Sequence, residues 1–367
     1  MDTEQDTLLA AIGNPNVDIA IRLKDDSLFV KYDLQFDRAT PVDQKFLNAI
    51  EEDFKKLDPE IRHSPGGCSQ NTLRIFQWLM NSKFNSTIIG SIGEDDNGTL
   101  LKNELEKQGV LTSYTTISNY KTAFVFIFIF KDYITPVYGT SCLAAWQYRV
   151  TDLLADSIAM ESLKKSKIVL LEGFFIIHSD DVGREALDIC TKNNTLTSFN
   201  ICGVYVVRAY PNIVIHYVKS CRIVIGSRAE FSAVCELFDV PTDDFEKSLV
   251  DVFKIMMEEY SPLNSSIKSM EEYKKILIVT GGAKPVYCVY GNNKVIKFEV
   301  PRVEQSLIKD VTGAGDSFLA GFLYGIIHNF PLLKCLELAC KVAAEILQQH
   351  GCLVPPKNSS AVLGSLA

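Results

Sequence analysis

The sequence predicts an α/β fold: a mainly parallel central sheet with helices on both faces, and a small lid-like layer beside it. Three observations carry that expectation. Continuous apolar runs of strand length alternate with amphipathic stretches, as strands covered on both faces require. Several of these runs stop at glycine turns, Gly13-Asn14-Pro15, Gly173 and Gly281-Gly282 among them, and ligands of such sheets gather at those strand ends. Asp18 to Arg62 fits the alternation less well; with the strand at 122–130 it suggests a separate layer, either a lid over the sheet end or a decorated sheet edge.

In chain order, Leu9 to Ile12 reads as a strand ending at Gly13. Ser69 to Met80 has helical spacing after a Gly-Gly turn. Thr87 to Gly90 is a strand closed by Ser91-Ile92-Gly93, and Asn97 to Gln108 is a helix stopped by Gly109. Phe124 to Phe130 is aromatic and β-branched, hence a strand. Ile168 to Leu171, Leu196 to Phe199, Arg222 to Ile225 and Lys275 to Thr280 are further strands, with Val182 to Thr191 a helix among them. Ser317 to Ile327 and Leu332 to Gln349 are the last two helices. Ser261 to Met270 is the most loop-like interior stretch. One domain over 1–355 is expected, with a discontinuous lid from about 18–62 and 121–144, and a tail over 356–367 that frays.

Composition excludes several function classes. Hydrophobic residues make up 47% of the 367 residues, which rules out a mainly disordered chain. Lys and Arg total 37 against 45 Asp and Glu, so the net charge is -8; general binding to nucleic acid or anionic membrane needs the opposite sign. The start Met1-Asp2-Thr3-Glu4 is acidic where a secretion signal is basic. The longest apolar run, Ala123 to Phe130, is far short of a membrane span. Ten scattered cysteines without CxxC or zinc spacing read as reduced thiols. A cytoplasmic location follows by elimination, with the nucleus left open; monomer and dimer are undecided.

The strongest chemical signal is Asp310-Val311-Thr312-Gly313-Ala314-Gly315-Asp316, running straight into the apolar helix that begins Ser317-Phe318-Leu319. Two glycines let successive N–H groups point one way at a helix N-terminus, which makes an anion hole from Gly313, Ala314 and Gly315. Such a hole suits a transferring phosphoryl group. Asp316 at its rim is placed to take a proton from an attacking hydroxyl, and the helix dipole is expected to lower its pKa. Phe318 stands where a dinucleotide fingerprint needs its third glycine, and no Walker A spacing occurs.

This string resembles the C-terminal signature of the PfkB (ribokinase-like) carbohydrate and nucleoside kinases. Further segments are similar to the adenosine kinases of that family: Gly13-Asn14-Pro15-Asn16-Val17-Asp18, Pro65-Gly66-Gly67-Cys68-Ser69-Gln70-Asn71, Gln77-Trp78, Gly90-Ser91-Ile92-Gly93, Gly173-Phe174-Phe175, and His350-Gly351-Cys352 followed by Pro355-Pro356-Lys357. The match is collinear over nearly the whole chain. The resemblance implies a ribokinase-like fold and transfer of phosphate from ATP, with Mg2+, to the 5′-hydroxyl of adenosine, in purine salvage. It implies that Asp316 is the general base. It also implies that Asp18 holds the ribose hydroxyls, with Gly67, Cys68, Asn71 and Asn14 beside the nucleoside, and that Phe174 stacks on the adenine. Read alone, Asp18 would be a strand-end turn residue and Phe174 a core aromatic.

Departures from the family pattern are equally legible. Where the family has Asn-x-x-Glu for magnesium and phosphate, the chain has Ser227-Arg228-Ala229-Glu230; Glu230 matches, acting on the metal through water. The lid arginine that clamps phosphate has Ile134 near its place, leaving Lys131 as a weak clamp without a bidentate fork. Arg149 is a second candidate. Asn200-Ile201-Cys202-Gly203-Val204-Tyr205 replaces Asn-Leu-Ser-Ala-Pro-Phe, and Cys68 takes a position that is often serine. These changes keep open a kinase for another nucleoside or a sugar, or a catalytically weak nucleoside-binding paralogue.

Overall fold

A computed structural model describes residues 7–36, 38–80, 83–139, 143–258, 267–357 and 360–366. Its strands are β1 (Leu9–Ile12), β2 (Asn16–Arg22), β3 (Thr40–Val42), β4 (Glu60–Gly66), β5 (Ser86–Gly93), β6 (Val110–Ile117), β7 (Ala123–Phe130) and β8 (Tyr133–Gly139). There follow β9 (Ile168–Glu172), β10 (Leu196–Asn200), β11 (Ile223–Ser227), β12 (Ile276–Thr280), β13 (Val286–Tyr290) and β14 (Lys294–Phe298). They form two sheets, a nine-stranded one in the order β14-β13-β12-β11-β10-β9-β1-β5-β6 and a five-stranded one in the order β3-β8-β7-β2-β4.

The central strands are apolar at every position because both of their faces are buried. Leu9, Ala11, Ile168, Leu170, Ile276 and Ile278 face one hydrophobic core. Ala10, Ile12, Val169, Leu171, Leu277 and Val279 face the other. Period-two alternation therefore separates two cores rather than core from solvent. From β6 through β12 the pairs are parallel; β13 and β14 close the edge as antiparallel strands. β1 lies between β9 and β5, so the strand order reverses direction beside it. Such a switch point opens a crevice at the carboxyl ends of the strands.

At that point the chain crosses between sheets. β1 runs through Gly13-Asn14-Pro15 into β2, which pairs with β4 and β7 in the smaller sheet. The smaller sheet draws its strands from residues 16–66 and 123–139. Gly67 then turns the chain from β4 into the helix Cys68–Leu79 with φ +86, and a Cβ there would lie 2.6 Å from Asn16 Oδ1. Only glycine takes that conformation and that approach together.

The structure differs from the sequence reading in places. β5 continues through Ser91-Ile92-Gly93 instead of closing there. β6, the β13–β14 hairpin and the helix Phe245–Met257 add to the elements read from sequence. The helix read from Ser317 starts at Ala314, so Asp316 lies inside its first turn. The tail does not end loose. Ser360 and Val362 are buried, the Ser360 hydroxyl and the Val362 N–H donate to Glu345 Oε2 at 2.9 and 3.2 Å, and Ala361–Leu366 is a short helix. The segment read as loop, Ser261 to Met270, lies outside the described residues as far as 266; Ser269 begins a short helix. No helix among the described residues is long and apolar enough to cross a membrane.

Candidate active site

Asp316 sits in the first turn of the helix Ala314–Ile327 and is 8% exposed. Its carboxylate faces the helix Cys68–Leu79, where Asn71 Nδ2 donates to Asp316 Oδ2 at 3.0 Å. The Thr72 hydroxyl donates to the Asp316 carbonyl at 3.4 Å. Burial pushes Asp316 up to about 6, against hydrogen bonds from Asn71 and Cys68 that hold it down. The expected lowering by the helix dipole is thus reversed, because loss of water outweighs the field of one helix end. A carboxyl near 6 is still mostly ionised at neutral pH and is a stronger base than an ordinary aspartate.

The loop before the helix is tied at both ends. Asp310 Oδ1 accepts the Thr312 N–H at 2.8 Å and its Oδ2 accepts the Gly351 N–H at 2.8 Å. Gly313 caps the helix with φ +75, and a Cβ on it would meet Cys352 Sγ at 2.3 Å. Of the three expected anion-hole amides, Ala314 N–H is directed at the Val311 carbonyl, 3.2 Å away. Gly315 is exposed, and a Cβ on it would meet nothing within 4 Å, so open space lies before it.

Asp18 belongs to the same cleft. It lies on β2 opposite Ser64 of β4 and Val125 of β7. Asn16 Nδ2 donates to its Oδ1 at 3.0 Å. Burial pushes Asp18 up to about 7; Arg74 and Asn16 pull it down, while Asp316 and Asp310 add repulsion. The carboxylates of Asp18 and Asp316 are therefore near enough for the charge of Asp316 to raise Asp18.

Around them stand Asn14, Gly67, Cys68 and Phe174. Asn14 follows β1, and its Oδ1 is buried with no hydrogen-bond partner among the described residues. Cys68 opens the Asn71 helix, and its thiol hydrogen-bonds that of Cys202 and the Asp316 carboxylate. Phe174 is half-buried after β9 and stacks on Tyr205, with ring centroids 5.7 Å apart and planes 13° from parallel.

Two residues that the sequence reading did not name also line this region. Glu172 ends β9, is 1% exposed and accepts the Ser69 N–H at 2.9 Å; burial pushes it up to about 7. Its Oε1 has no hydrogen-bond partner among the described residues. Arg74 lies one turn beyond Asn71 and is 2% exposed. A charged residue at a strand end or on a helix carries no sequence signal of burial, so only topology reveals either.

Three of the expected residues are engaged locally or lie apart in this structure. Lys131 is not brought to the others. It sits in the β7–β8 turn over the Phe130 ring, and Val125, the neighbour of Asp18, is six residues back along β7, about 20 Å at strand rise. Arg149, the other clamp candidate, spends its guanidinium on the Trp146 and Tyr148 carbonyls and on Gln147. Glu230 is committed locally as well: its Oε2 accepts the Ser227 N–H at 2.7 Å while the Ser227 hydroxyl accepts the Glu230 N–H at 3.3 Å, a capping box. Burial raises Glu230, and Arg228 lies over the Phe245 ring. The described residues hold no group of three His, Cys, Asp or Glu side chains arranged for a metal ion.

Comparison with known proteins adds four findings. The family model described as pfkB family carbohydrate kinase matches residues 29–358. Adenosine kinase 2 of Arabidopsis thaliana is 24% identical over 355 residues, covering 96% of this chain and 97% of the relative. The adenosine kinase of Schistosoma mansoni, solved with 2-fluoroadenosine, superposes with a TM-score of 0.82 at 22% identity, covering 96% and 99% of the two chains. A probable sugar kinase from Rhizobium etli shares the fold almost as fully, with a TM-score of 0.76 at 18% identity over 98% of each chain.

Proposed function

The chain belongs to the pfkB family of carbohydrate kinases, has its ribokinase-like fold and is a phosphotransferase with a hydroxyl acceptor; we propose that the acceptor is the 5′-hydroxyl of adenosine and the donor ATP, a purine-salvage reaction. One observation carries this reading: Asp316, held by Asn71, lies near enough for its charge to act on Asp18, whose carboxylate suits a cis-diol. Solved adenosine kinases and curated ones share the fold over nearly the full chain, which supports the nucleoside.

In this mechanism Asp18 and Asn71 hold the ribose, and Phe174 stacks on the base. Asp316 accepts the 5′-hydroxyl proton as the oxygen attacks the terminal phosphorus of ATP. The Gly313 and Gly315 amides, with the positive end of the helix, take the charge of the transferring group. Magnesium suits the site through one carboxylate, since it keeps most of its waters and draws its other oxygens from nucleotide phosphates. Glu230 offers Oε1 for such a water, with Oε2 already bound to Ser227. Bound there, Mg2+ supplies charge neutralisation of the phosphates. The smaller sheet acts as the lid that excludes water.

A specific observation favours a second acceptor for the same reaction. Tyr205 occupies a face of Phe174, where a purine would compete for the ring. This fits another nucleoside or a free sugar. The test is incubation with ATP, Mg2+ and a panel of nucleosides and sugars, following ADP release. Adenosine turning over with the highest kcat/KM supports the reading; a sugar in that place replaces the acceptor; ADP release no higher than background with every acceptor leaves a binding paralogue.

A further inference from the structure

Arg74 is a buried cation that the mechanism above leaves unused. Its Nη1 donates to the Pro65 carbonyl at 2.9 Å and to Asn71 Oδ1 at 3.3 Å, and its Nε donates to Gln108 Oε1 at 2.8 Å. A guanidinium can only donate, so the amide atom facing it must be oxygen. That fixes the Asn71 side chain: its NH2 group has to point the other way, onto Asp316 Oδ2. With the amide reversed, an oxygen would face the Asp316 carboxylate and an NH2 group would face the guanidinium, both repulsive.

Arg74 also sets the local charge. Asp18 faces Arg74, Asp316 and Asp310, with Asn16 as a neutral donor. Asp316 faces Asn71 and the Cys68 thiol, and Glu172 and the Cys352 thiol sense its charge. Arg74 itself senses Asp18, Cys352 and Glu104. Asp18 thus feels repulsion from Asp316 and Asp310 and attraction from Arg74, which lies on the Cys68–Leu79 helix.

We propose that Arg74 is a positioning residue for phosphoryl transfer: it orients Asn71 so that the amide donor holds the Asp316 carboxylate in place. The proposal rests on the role given above to Asp316. A lysine would supply the charge but not the fork, because one ammonium cannot span Pro65, Gln108 and Asn71 together.

The test uses the full chain with Arg74→Lys and Arg74→Met, reading kcat and acceptor KM from about pH 5 to about pH 9, alongside thermal unfolding. Arg74→Met is expected to lose about 100-fold in kcat/KM, the scale of a misplaced catalytic group, and its acidic limb should move to higher pH. Arg74→Lys should keep the acceptor KM of the wild type while kcat stays low. Variants that lose only melting temperature, with both limbs and kcat unmoved, overturn the proposal and leave a packing role. If Arg74→Met does not fold, Arg74→Lys decides: lowered kcat at wild-type KM supports it, and wild-type kcat overturns it. A wild type inactive on every acceptor overturns the kinase reading and this role with it, whereas an active wild type with unmoved variants overturns this role alone.

Discussion

Asp316→Asn exchanges one carboxylate oxygen for an NH2 group at nearly constant shape. The Asn71 donor, 3.0 Å from Oδ2, keeps an oxygen to bind, so the local packing survives. Catalysis does not, because an amide cannot take the hydroxyl proton; a general base contributes on the order of 100- to 10,000-fold. Stability moves the other way. Burial raises the folded pKa from 3.8 to about 6, so the ionised form costs roughly 3 kcal/mol, at about 1.4 kcal/mol per pKa unit. The sign follows from proton counting. Between pH 4 and 6 the folded state binds more protons than the unfolded one, so this carboxylate lowers stability as pH rises, and its cost is complete above the folded pKa. The neutral variant should therefore melt a few degrees higher than wild type at about pH 8 and gain almost nothing near pH 4. Thermal unfolding at the two pH values, with initial rates of ADP release, measures both effects. Wild-type turnover in Asp316→Asn, or a melting difference that ignores pH, would refute the reasoning.

Other outcomes follow from the same geometry. The acidic limb of kcat should lie near pH 6, set by Asp316, and acceptor affinity should fall below about pH 7 as Asp18 protonates; pH-rate profiles and calorimetry of acceptor binding check both. Gly313→Ala forces a left-handed φ of +75 on a residue with a Cβ and drives it into Cys352, so stability should drop by at least about 1 kcal/mol in denaturant titration. Gly315→Ala has room for its methyl and should fold normally while binding ATP more weakly. Phe174→Ala should weaken a purine nucleoside by about 3- to 10-fold, the worth of a stacked aromatic pair, and leave free ribose unchanged in competition calorimetry.

The parallel sheet was legible because burial on both faces leaves continuous apolar runs, as in β1, β9 and β12. The β13–β14 hairpin is hard to read, although Gly291-Asn292-Asn293 is a turn signal, because Lys294-Val295-Ile296-Lys297-Phe298 at the sheet edge is neither a continuous apolar run nor a strict alternation. Asp316 could be named from the glycine-rich string before its helix, and Asn71 and Asp18 from the resemblance that their segments carry. Glu172 and Arg74 could not, since their burial comes from strands and helices far apart in sequence. The rise in the Asp316 pKa was hidden for the same reason: the helix dipole can be read locally, whereas desolvation by the Asn71 helix cannot. That Lys131 lies at the far end of β7 from Val125 is likewise hidden, because sequence distance from a motif says nothing about which end of a strand faces Asp18.

The central claim is most directly tested by a crystal structure with adenosine and a non-hydrolysable ATP analogue. The account predicts the 5′-hydroxyl within hydrogen-bond reach of the Asp316 carboxylate, the ribose diol on Asp18 and the terminal phosphate against Gly313 and Gly315. A nucleoside seated away from Asp18, or phosphates bound elsewhere than the start of the Ala314 helix, would contradict it.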